Sequence, residues 1–385
     1  MKQKRKICFI TGTRADFGIL TPVMRKVKSS KKLELFIIAT GMHLEKKFGY
    51  TISEIEKEGF SIYKEINTSY SGDSGKDMAK SVGSAIIGFA EAFSQLKPDI
   101  VVVLGDRGEM LAGAIAANYL QIPVAHIHGG EISGHVDGII RHAITKLSHI
   151  HFASTENAKQ RIIKLGEEAG KVYISGAPAL DRIKGEKLPG KTELFKKYGF
   201  DEKKQLFLIV QHPDSSEKEN AASKIKETIK AVLSFKAQTL MVYPNSDAGG
   251  RQMIDIIEGY KKSLFLTFAK SISHLDYLGF LQIADLLVGN SSSGIIEAPS
   301  FNIPVVNIGS RQEDREHASN VFNVGYDKEK IVLAVKNALK YGTMAKKSGD
   351  RIINPYGEGD ASRKIVSVLE KVPLGRDLLL KRITY

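Results

Sequence analysis

The sequence predicts an α/β protein with two doubly wound parallel sheets. Short apolar runs alternate with segments of helical spacing, and this rhythm restarts after a polar connector. One run, residues 100–104, is apolar at all five positions, which is typical of a strand buried on both faces of a parallel sheet. At 385 residues the chain is also too long for one ordinary hydrophobic core.

In the first half, each apolar run is followed by a segment with helical periodicity. The predicted strands are 7–11, 33–39, 100–104, 124–127, 150–153 and 172–174. The predicted helices are 20–29, 53–58, 80–96, 109–120 and 138–146. Alternation of this kind predicts a parallel sheet covered by helices.

A polar connector at residues 182–190 separates this half from a second series of alternating elements. The predicted strands there are 206–210, 239–243, 264–268, 286–288 and 305–308, and the predicted helices are 218–235, 247–260, 273–283 and 294–300. We expect domains at residues 1–180 and 181–360. A C-terminal segment, 361–385, should carry a helix (361–379) that packs back across the cleft between them.

The charge and composition of the chain indicate what kind of ligand it binds and in which compartment it lies. The net charge is +13, but the excess lies in scattered lysine pairs, the chain has no Trp, and no nucleic-acid-binding motif is present. We therefore expect a lysine-rich surface that suits an anionic ligand rather than a nucleic-acid groove. The single Cys8 lies in an apolar run and cannot form an internal disulfide. With no signal-peptide core or membrane-spanning stretch, the sequence predicts a cytoplasmic protein.

Polar side chains gather after the predicted strands of the first domain, where ligands bind in open parallel sheets. They are Arg14, Asp16, His43, Asp106, Arg107, His126, His128, Glu131, Asp137, Arg141 and His142. Each has an ordinary explanation by itself, such as a buried core histidine, a turn at Asp106 or a helix cap at Asp137. Together, carboxylates and imidazoles indicate proton transfer near neutral pH. Metal binding by the His126-x-His128 pair is the weaker alternative, and we predict no metal.

The second domain carries an anion-binding pattern. Residues 286–297 run from an apolar strand into Gly-Asn-Ser-Ser-Ser-Gly and then a helix, so free N–H groups at the helix start suit a diphosphate. An ordinary serine-capped helix is the alternative. His212, Asn245, Asp247 and Arg311 follow other strands of this half. Neither a Walker loop nor Gly-x-Gly-x-x-Gly is present, which argues against ATP hydrolysis and hydride transfer.

Together these motifs resemble the hydrolysing UDP-N-acetylglucosamine 2-epimerases, the sialic-acid-pathway branch of the nucleotide-sugar 2-epimerases with the GT-B fold. The matching stretches are 11–20, 41–44, 105–107, 126–131, 133–134, Asp137, 141–146, 211–213, 244–249, 289–297 and 309–312. The non-hydrolysing branch carries a Pro-Glu-Glu segment that is not found here. The resemblance therefore points to hydrolysis.

The resemblance implies two Rossmann-like domains with the active site in the cleft between them, and no cofactor. Loss of the C2 proton and of UDP from C1 would give a glycal. Water would then add at C1 and a proton at C2 from the other face, releasing N-acetylmannosamine. Asp106 and Asp137 take acid–base roles, and His212 assists at the leaving phosphate.

The remaining predicted residues bind the nucleotide or the sugar. The nucleotide set is Arg14, Arg107, Asn290, Ser291, Ser292, Glu297 and Arg311. The sugar set is Asp16, His43, His126, Arg141, His142, Asn245 and Asp247. Many relatives have a glutamate where this chain has His128, so the third catalytic group is either His128 or Glu131.

Three substrates stay open: UDP-N-acetylglucosamine, which we put first, its GDP counterpart, and a UDP-linked 2,4-diacetamido-2,4,6-trideoxyglucose that feeds legionaminic-type acids. Relatives imply a homodimer or homotetramer, with no nucleic-acid or membrane partner. A GT-B glycosyltransferase and a non-catalytic nucleotide-sugar sensor are the alternative classes of function.

Overall fold

The computed structural model describes residues 3–45, 50–68, 75–132, 135–213, 220–244, 249–270, 272–349 and 351–385, without the side chains of 135–137. Contacts divide the chain into two compact units. Unit 1 comprises Met1–Lys184 and Tyr356–Tyr385, and unit 2 comprises Gly185–Pro355.

Each unit is built on one parallel sheet. The strands of unit 1 are β1 (Arg5–Thr11), β2 (Leu33–Thr40), β3 (Lys64–Ile66), β4 (Ile100–Leu104), β5 (Val124–Ile127), β6 (Ile150–Ala153) and β7 (Val172–Ile174). Those of unit 2 are β8 (Leu206–Val210), β9 (Gln238–Val242), β10 (Leu266–Ala269), β11 (Leu286–Gly289), β12 (Val305–Ile308) and β13 (Val321–Val324).

The strand orders among the described residues are β3-β2-β1-β4-β5-β6-β7 and β10-β9-β8-β11-β12-β13. In both sheets the order reverses beside the first strand, between β1 and β4 and between β8 and β11. This reversal opens a crevice at the carboxyl ends of the strands, where doubly wound sheets bind ligands. The predicted fold class is confirmed.

Helices cover both faces of the sheets. In unit 1 and the start of unit 2 they are α1 (Arg14–Lys28), α2 (Ile52–Lys57), α3 (Gly75–Leu96), α4 (Gly108–Tyr119), α5 (His135–Leu147), α6 (Glu156–Lys164), α7 (Ala179–Gly185) and α8 (Lys191–Tyr198). The others are α9 (Ala221–Leu233), α10 (Gly250–Glu258), α11 (His274–Ile283), α12 (Ser293–Ile296), α13 (Lys328–Ser348), α14 (Ala361–Lys371) and α15 (Arg376–Leu379). No helix of the described residues is long and apolar enough to span a membrane.

The alternation of β1 shows how the core of unit 1 is divided. Ile7 and Phe9 point into a cluster that includes the buried side of α14, whereas Cys8 and Ile10 point into a second cluster with α3 and α4. The last long helix therefore packs on unit 1. In unit 2 one large cluster joins a face of the sheet to α9, α10 and α13.

Several predicted boundaries were wrong for identifiable reasons. Helix α1 begins at Arg14 instead of residue 20, because Thr13 and Asp16 form a capping box. The predicted helix 361–379 is broken into α14 and α15 beside Pro373, which has no N–H to donate. The first four of the nine residues in the predicted connector are helical, because α7 (Ala179–Gly185) extends into it. Asp137 lies inside α5, which begins at His135, and so is not its cap.

Candidate active site

A buried guanidinium ties together the ends of β4 and β5. Asp106 lies in the turn after β4, and Arg141 of α5 donates from Nη2 to Asp106 Oδ2. The other terminal nitrogen, Nη1, donates to the His128 carbonyl oxygen at 2.7 Å. The Arg141 side chain is 5% exposed and that of Asp106 is 22% exposed, so this pair is largely shielded from water. Arg141 therefore fixes the carboxylate relative to the His128 backbone.

One ring nitrogen of His128 has a hydrogen-bond partner and the other has none among the described residues. Its Nδ1 lies 2.6 Å from Glu131 Oε1, and Ser154 Oγ donates to the same carboxylate oxygen at 2.7 Å. Nε2 is buried and has no hydrogen-bond partner within the described ranges. Because a ring that donates Nδ1–H to a carboxylate keeps Nε2 for proton exchange, this atom is available for chemistry. His128 also has a φ of +63°, which turns the chain sharply after β5.

His126 supports this turn from within the sheet. Its Nε2 lies 2.8 Å from the Gly105 carbonyl oxygen and its Nδ1 lies 3.3 Å from Thr145 Oγ1. Burial lowers the pKa of His126 to about 3, so the ring is neutral. The neutral ring donates from Nε2 to Gly105, and Nδ1 faces the Thr145 hydroxyl. Within the described part of the chain no group of three or more His, Cys, Asp or Glu side chains is arranged to hold a metal ion.

Asp16 and His43 belong to a buried network at the end of β1. Asp16 accepts hydrogen bonds from Thr11 Oγ1, Thr13 Oγ1 and the Thr13 N–H. Burial raises the pKa of Asp16 to about 6 against these hydrogen bonds, which lower it. His43 Nε2 lies 3.0 Å from Thr11 Oγ1, and its Nδ1 lies 2.8 Å from Thr51 Oγ1. Burial lowers the pKa of His43 to about 4.

The predicted arginines of unit 1 lie at different places. Arg14 is half-exposed on α1, with Nε 3.1 Å from Glu54 Oε2. Arg107 follows Asp106, and its Nε lies 3.4 Å from Glu109 Oε2. Glu109 was not among the residues predicted for the site. The signal was its place in the first turn of α4, two residues after Gly-Asp-Arg.

Glu109 packs closely against glycine at two strand ends. A Cβ at Gly41, where φ is +57°, would lie 2.5 Å from Glu109 Oε1, and a Cβ at Gly12 would lie 3.1 Å from Glu109 Cδ. The carboxylate is therefore packed against the backbone of the turns after β1 and β2.

His142 follows Arg141 on α5. Burial, together with the charges of Arg141 and Arg161, lowers the pKa of His142.

In unit 2, Asn290 ties together three strand ends. Its side-chain amide exchanges two hydrogen bonds with the His212 backbone: the His212 N–H donates to Oδ1 at 2.7 Å, and Nδ2 donates to the His212 carbonyl oxygen at 2.9 Å. The Asn290 carbonyl oxygen accepts from Arg311 Nη1 at 3.1 Å and from Gln312 Nε2 at 3.0 Å. This arrangement brings His212, Asn290 and Arg311 together; Gln312, buried beside them, was not a predicted site residue.

The serine turn after β11 is partly buried and internally bonded. Ser293 donates from N and Oγ to Ser291 Oγ at 3.3 and 2.9 Å, and Tyr277 OH contacts Ser293 Oγ. Burial raises the pKa of Tyr277, which keeps its hydroxyl protonated. Gly289, at φ +136°, is required because a Cβ there would lie 2.1 Å from the Val210 carbonyl oxygen.

The helix predicted at 294–300 was wrong in extent. Helix α12 is one turn long, Ser293–Ile296, and a 3-10 turn, Ala298–Phe301, carries the chain onward past Pro299. Ser292 is therefore the N-cap, and Glu297 lies at the junction. A single turn has a weak macrodipole, so the predicted anion site would depend on the serine hydroxyls and turn N–H groups. The predicted residues Asn245 and Asp247 and the side chain of Asp137 lie outside the described residues.

Comparison with known proteins identifies the family. The model of the UDP-N-acetylglucosamine 2-epimerase family matches residues 25–370. The chain belongs to this family. It is an enzyme of the nucleotide-sugar 2-epimerase type, so the resemblance drawn from the motifs is confirmed.

Two relatives and one solved structure show the extent of the similarity. The chain is 40% identical to a UDP-N,N'-diacetylbacillosamine 2-epimerase (hydrolyzing) of Legionella pneumophila, over 99% of this chain and 100% of the relative. It is 39% identical to a GDP/UDP-N,N'-diacetylbacillosamine 2-epimerase (hydrolyzing) of Campylobacter jejuni, over 83% and 84%. The crystal structure of Neisseria meningitidis UDP-GlcNAc 2-epimerase bound to UDP-GlcNAc matches with a TM-score of 0.80, 20% identity and coverage of 95% and 100%.

Proposed function

We propose that this chain is a hydrolysing 2-epimerase whose substrate is a UDP-linked 2,4-diacetamido-2,4,6-trideoxyglucose. The two relatives named for hydrolysis of the diacetylbacillosamine nucleotide, at 40% and 39% identity, support this substrate. UDP-N-acetylglucosamine, the first of the three substrates predicted from the sequence, is the second candidate, since the description of the matching family names it.

The observation that carries the acid–base chemistry is the Arg141 guanidinium, which binds both the Asp106 carboxylate and the backbone of His128, a residue whose Nε2 is unengaged. Inverting C2 requires two groups, since the proton leaves one face of the sugar and returns to the other. We assign removal of the C2 proton to the Asp106 carboxylate. As that proton moves, the C1–O bond breaks, UDP leaves with the bonding pair, and a C1–C2 double bond forms.

The second step adds water across this double bond. His128, protonated from solvent, donates its Nε2 proton to C2 from the opposite face, and Glu131 stabilises the imidazolium through Nδ1. The oxygen of water bonds to C1 and its proton passes to Asp137, the second carboxylate of the family motif. Proton exchange with solvent then restores Asp106, His128 and Asp137.

Unit 2 would hold the leaving group. The serine turn at 291–293 offers hydroxyl and N–H donors to a diphosphate, and Asn290 holds Arg311 in place through its carbonyl oxygen. A preformed set of donors stabilises the charge that develops on the diphosphate as the C1–O bond breaks. His212 and Glu297 are assigned to the leaving phosphate and the ribose, respectively.

Product analysis tests the proposal. The enzyme is incubated separately with the UDP-diacetamido sugar, UDP-N-acetylglucosamine and GDP-N-acetylglucosamine, and free 2-epimeric sugar is followed by NMR. We expect UDP release without any acceptor and the highest kcat/KM on the diacetamido substrate. A higher kcat/KM on UDP-N-acetylglucosamine would reassign the substrate. Release only after an acceptor is added would indicate a glycosyltransferase, and no release would indicate a sensor.

The roles of His128 and Glu131 are separable by substitution. His128→Asn removes the proton carrier and should lower kcat by more than about 100-fold, which is the lower end of general acid–base contributions. Glu131→Gln keeps the shape and a hydrogen bond to the ring but loses the charge, so about tenfold is expected. A larger loss for Glu131→Gln than for His128→Asn would show that the carboxylate is the proton carrier.

A further inference from the structure

Lys381, in the segment that follows α15, forms a compact set of contacts with the end of α5. Its Nζ donates to the carbonyl oxygens of Lys146 at 2.7 Å, Ser148 at 2.5 Å and Thr145 at 3.3 Å. The last carbonyl groups of a helix have no partner within it, and a cation there also complements the helix dipole. Lys381 therefore caps the helix that carries Arg141.

The same ammonium closes a buried ionic cluster. Lys381 Nζ lies 2.7 Å from Glu167 Oε2, and Glu167 Oε1 accepts from Lys146 Nζ at 2.7 Å. His151 Nε2 lies 3.1 Å from Glu167 Oε2. Burial raises the pKa of Glu167, but hydrogen bonds from His151, Lys146 and Lys381 outweigh it and bring the pKa to about 2. The carboxylate is ionised and needs its cations.

Residues 382–385 are exposed, and contacts at two places hold the C-terminal segment against unit 1. Tyr385 and Ile383 lie over Gly166, where φ is +87° and a Cβ would lie 2.5 Å from Tyr385 Cε1. Glycine at this position leaves room for the tyrosine ring. The Lys381 side chain is 22% exposed. The ammonium is therefore held mainly by its own contacts, with three carbonyl oxygens and the Glu167 carboxylate.

Two routes connect this cluster to the acid–base site. Thr145, whose carbonyl oxygen Lys381 binds, donates from Oγ1 to the Arg141 carbonyl oxygen at 3.0 Å and lies 3.3 Å from His126 Nδ1. On the sheet, His151 of β6 pairs in register with His126 of β5. A shift of the last turn of α5 would thus displace Arg141, and with it Asp106.

We propose that Lys381 is a positioning residue of the epimerase. It fixes the position of the end of α5, so that Arg141 keeps Asp106 and His128 aligned for proton transfer. This role rests on the proposed function. The segment 380–385 would thereby contribute to turnover without contacting substrate, and loss of the ammonium would lower the rate of the chemical step and leave nucleotide binding intact.

Three variants test the role. Lys381→Met removes the ammonium at similar length, Lys381→Arg retains a cation with several donors, and Arg382→Met is the matched control at an exposed neighbouring position. We expect Lys381→Met to lower kcat by about 10- to 100-fold, as misplacement of a reacting group by an ångström does. KM and the Kd for UDP should change by less than about twofold. Lys381→Arg should recover most of the rate, and Arg382→Met should match the wild type.

Hydrogen exchange provides a readout apart from turnover. Amide exchange in residues 141–148 should accelerate in Lys381→Met and be restored in Lys381→Arg. If Lys381→Met does not fold, Lys381→Gln, which retains two N–H donors, replaces it as the neutral variant that is compared with the wild type and Lys381→Arg. An unchanged kcat in the neutral variant, or an equal loss of UDP affinity, would overturn the role of Lys381. Absence of wild-type turnover on all three nucleotide sugars would instead refute the proposed function.

Discussion

Replacing Arg141 by lysine separates the charge of the guanidinium from its shape. Arg141 is 4% exposed and reaches two acceptors from two nitrogens, the His128 carbonyl oxygen at 2.7 Å and the Asp106 carboxylate. Lysine keeps the charge but presents one nitrogen, so one of these bonds is lost. A buried carbonyl left without a donor costs about 1–3 kcal/mol. The free energy of unfolding should fall by that amount, and Tm by several degrees.

The effect on turnover of Arg141→Lys should exceed the effect on binding. Asp106 loses the fixed orientation that proton abstraction requires, so kcat should fall by about 100-fold. The Kd for UDP should stay within about twofold, because the proposed phosphate donors belong to unit 2. UDP release and isothermal titration measure the two quantities.

Arg161→Lys is the matched control for Arg141→Lys. Arg161 Nη1 donates to the Gly130 carbonyl oxygen at 3.0 Å, so it binds the same loop without touching Asp106. This control should lose some stability but keep kcat within about threefold, since only one neutral acceptor is affected. A wild-type kcat in Arg141→Lys, or an equal loss of kcat in Arg161→Lys, would refute the assignment of Arg141.

Three further predictions follow from the contacts of the described residues. Asp106→Asn should reduce turnover by at least about 1,000-fold while UDP affinity is kept, since the amide cannot accept the C2 proton; parallel loss of both would contradict the role. Asn290→Ala removes both hydrogen bonds to the His212 backbone. It should weaken UDP binding about tenfold or more, measured by titration, and lower the free energy of unfolding by about 2–4 kcal/mol, measured by denaturation. Unchanged UDP affinity would show that the strand ends keep their arrangement without the Asn290 side chain. The pKa of Asp16 is raised from 3.8 to about 6 in the folded chain, so its protonated form stabilises the fold at low pH. Relative to Asp16→Asn, the wild type should therefore lose ~2 kcal/mol of stability as the pH rises from 4 to 6, and a stability difference that does not vary with pH would exclude this titration.

The strands were the most predictable part of the fold, because central strands of a parallel sheet are continuous apolar runs. Edge strands lack this signal: β3 is Lys-Glu-Ile, and only Ile66 of it is buried. Helix α13 was missed although Ile331, Val335 and Ala338 recur at helical spacing and Asp327 caps it. That pattern was present in the sequence.

The residues at the strand ends of the site could be predicted from the sequence, but the residues that hold them in place could not. The ends of parallel strands meet at one edge of the sheet, so Asp106 and His128 were expected to be neighbours. Contacts such as that of Lys381 with Thr145 join residues 236 positions apart, and no local pattern reports them. The assignment of the two ring nitrogens of His128 likewise depends on Glu131 and Ser154, whose hydrogen bonds only the three-dimensional structure shows.

Turnover in deuterated water tests the central claim most directly. Protons are exchanged at C2 in the proposed mechanism, once out and once in from the opposite face. The released 2-epimeric sugar should therefore carry one deuterium at C2, seen as loss of the C2 proton signal in NMR. A product that retains the original C2 proton would contradict the elimination–addition chemistry assigned to Asp106 and His128.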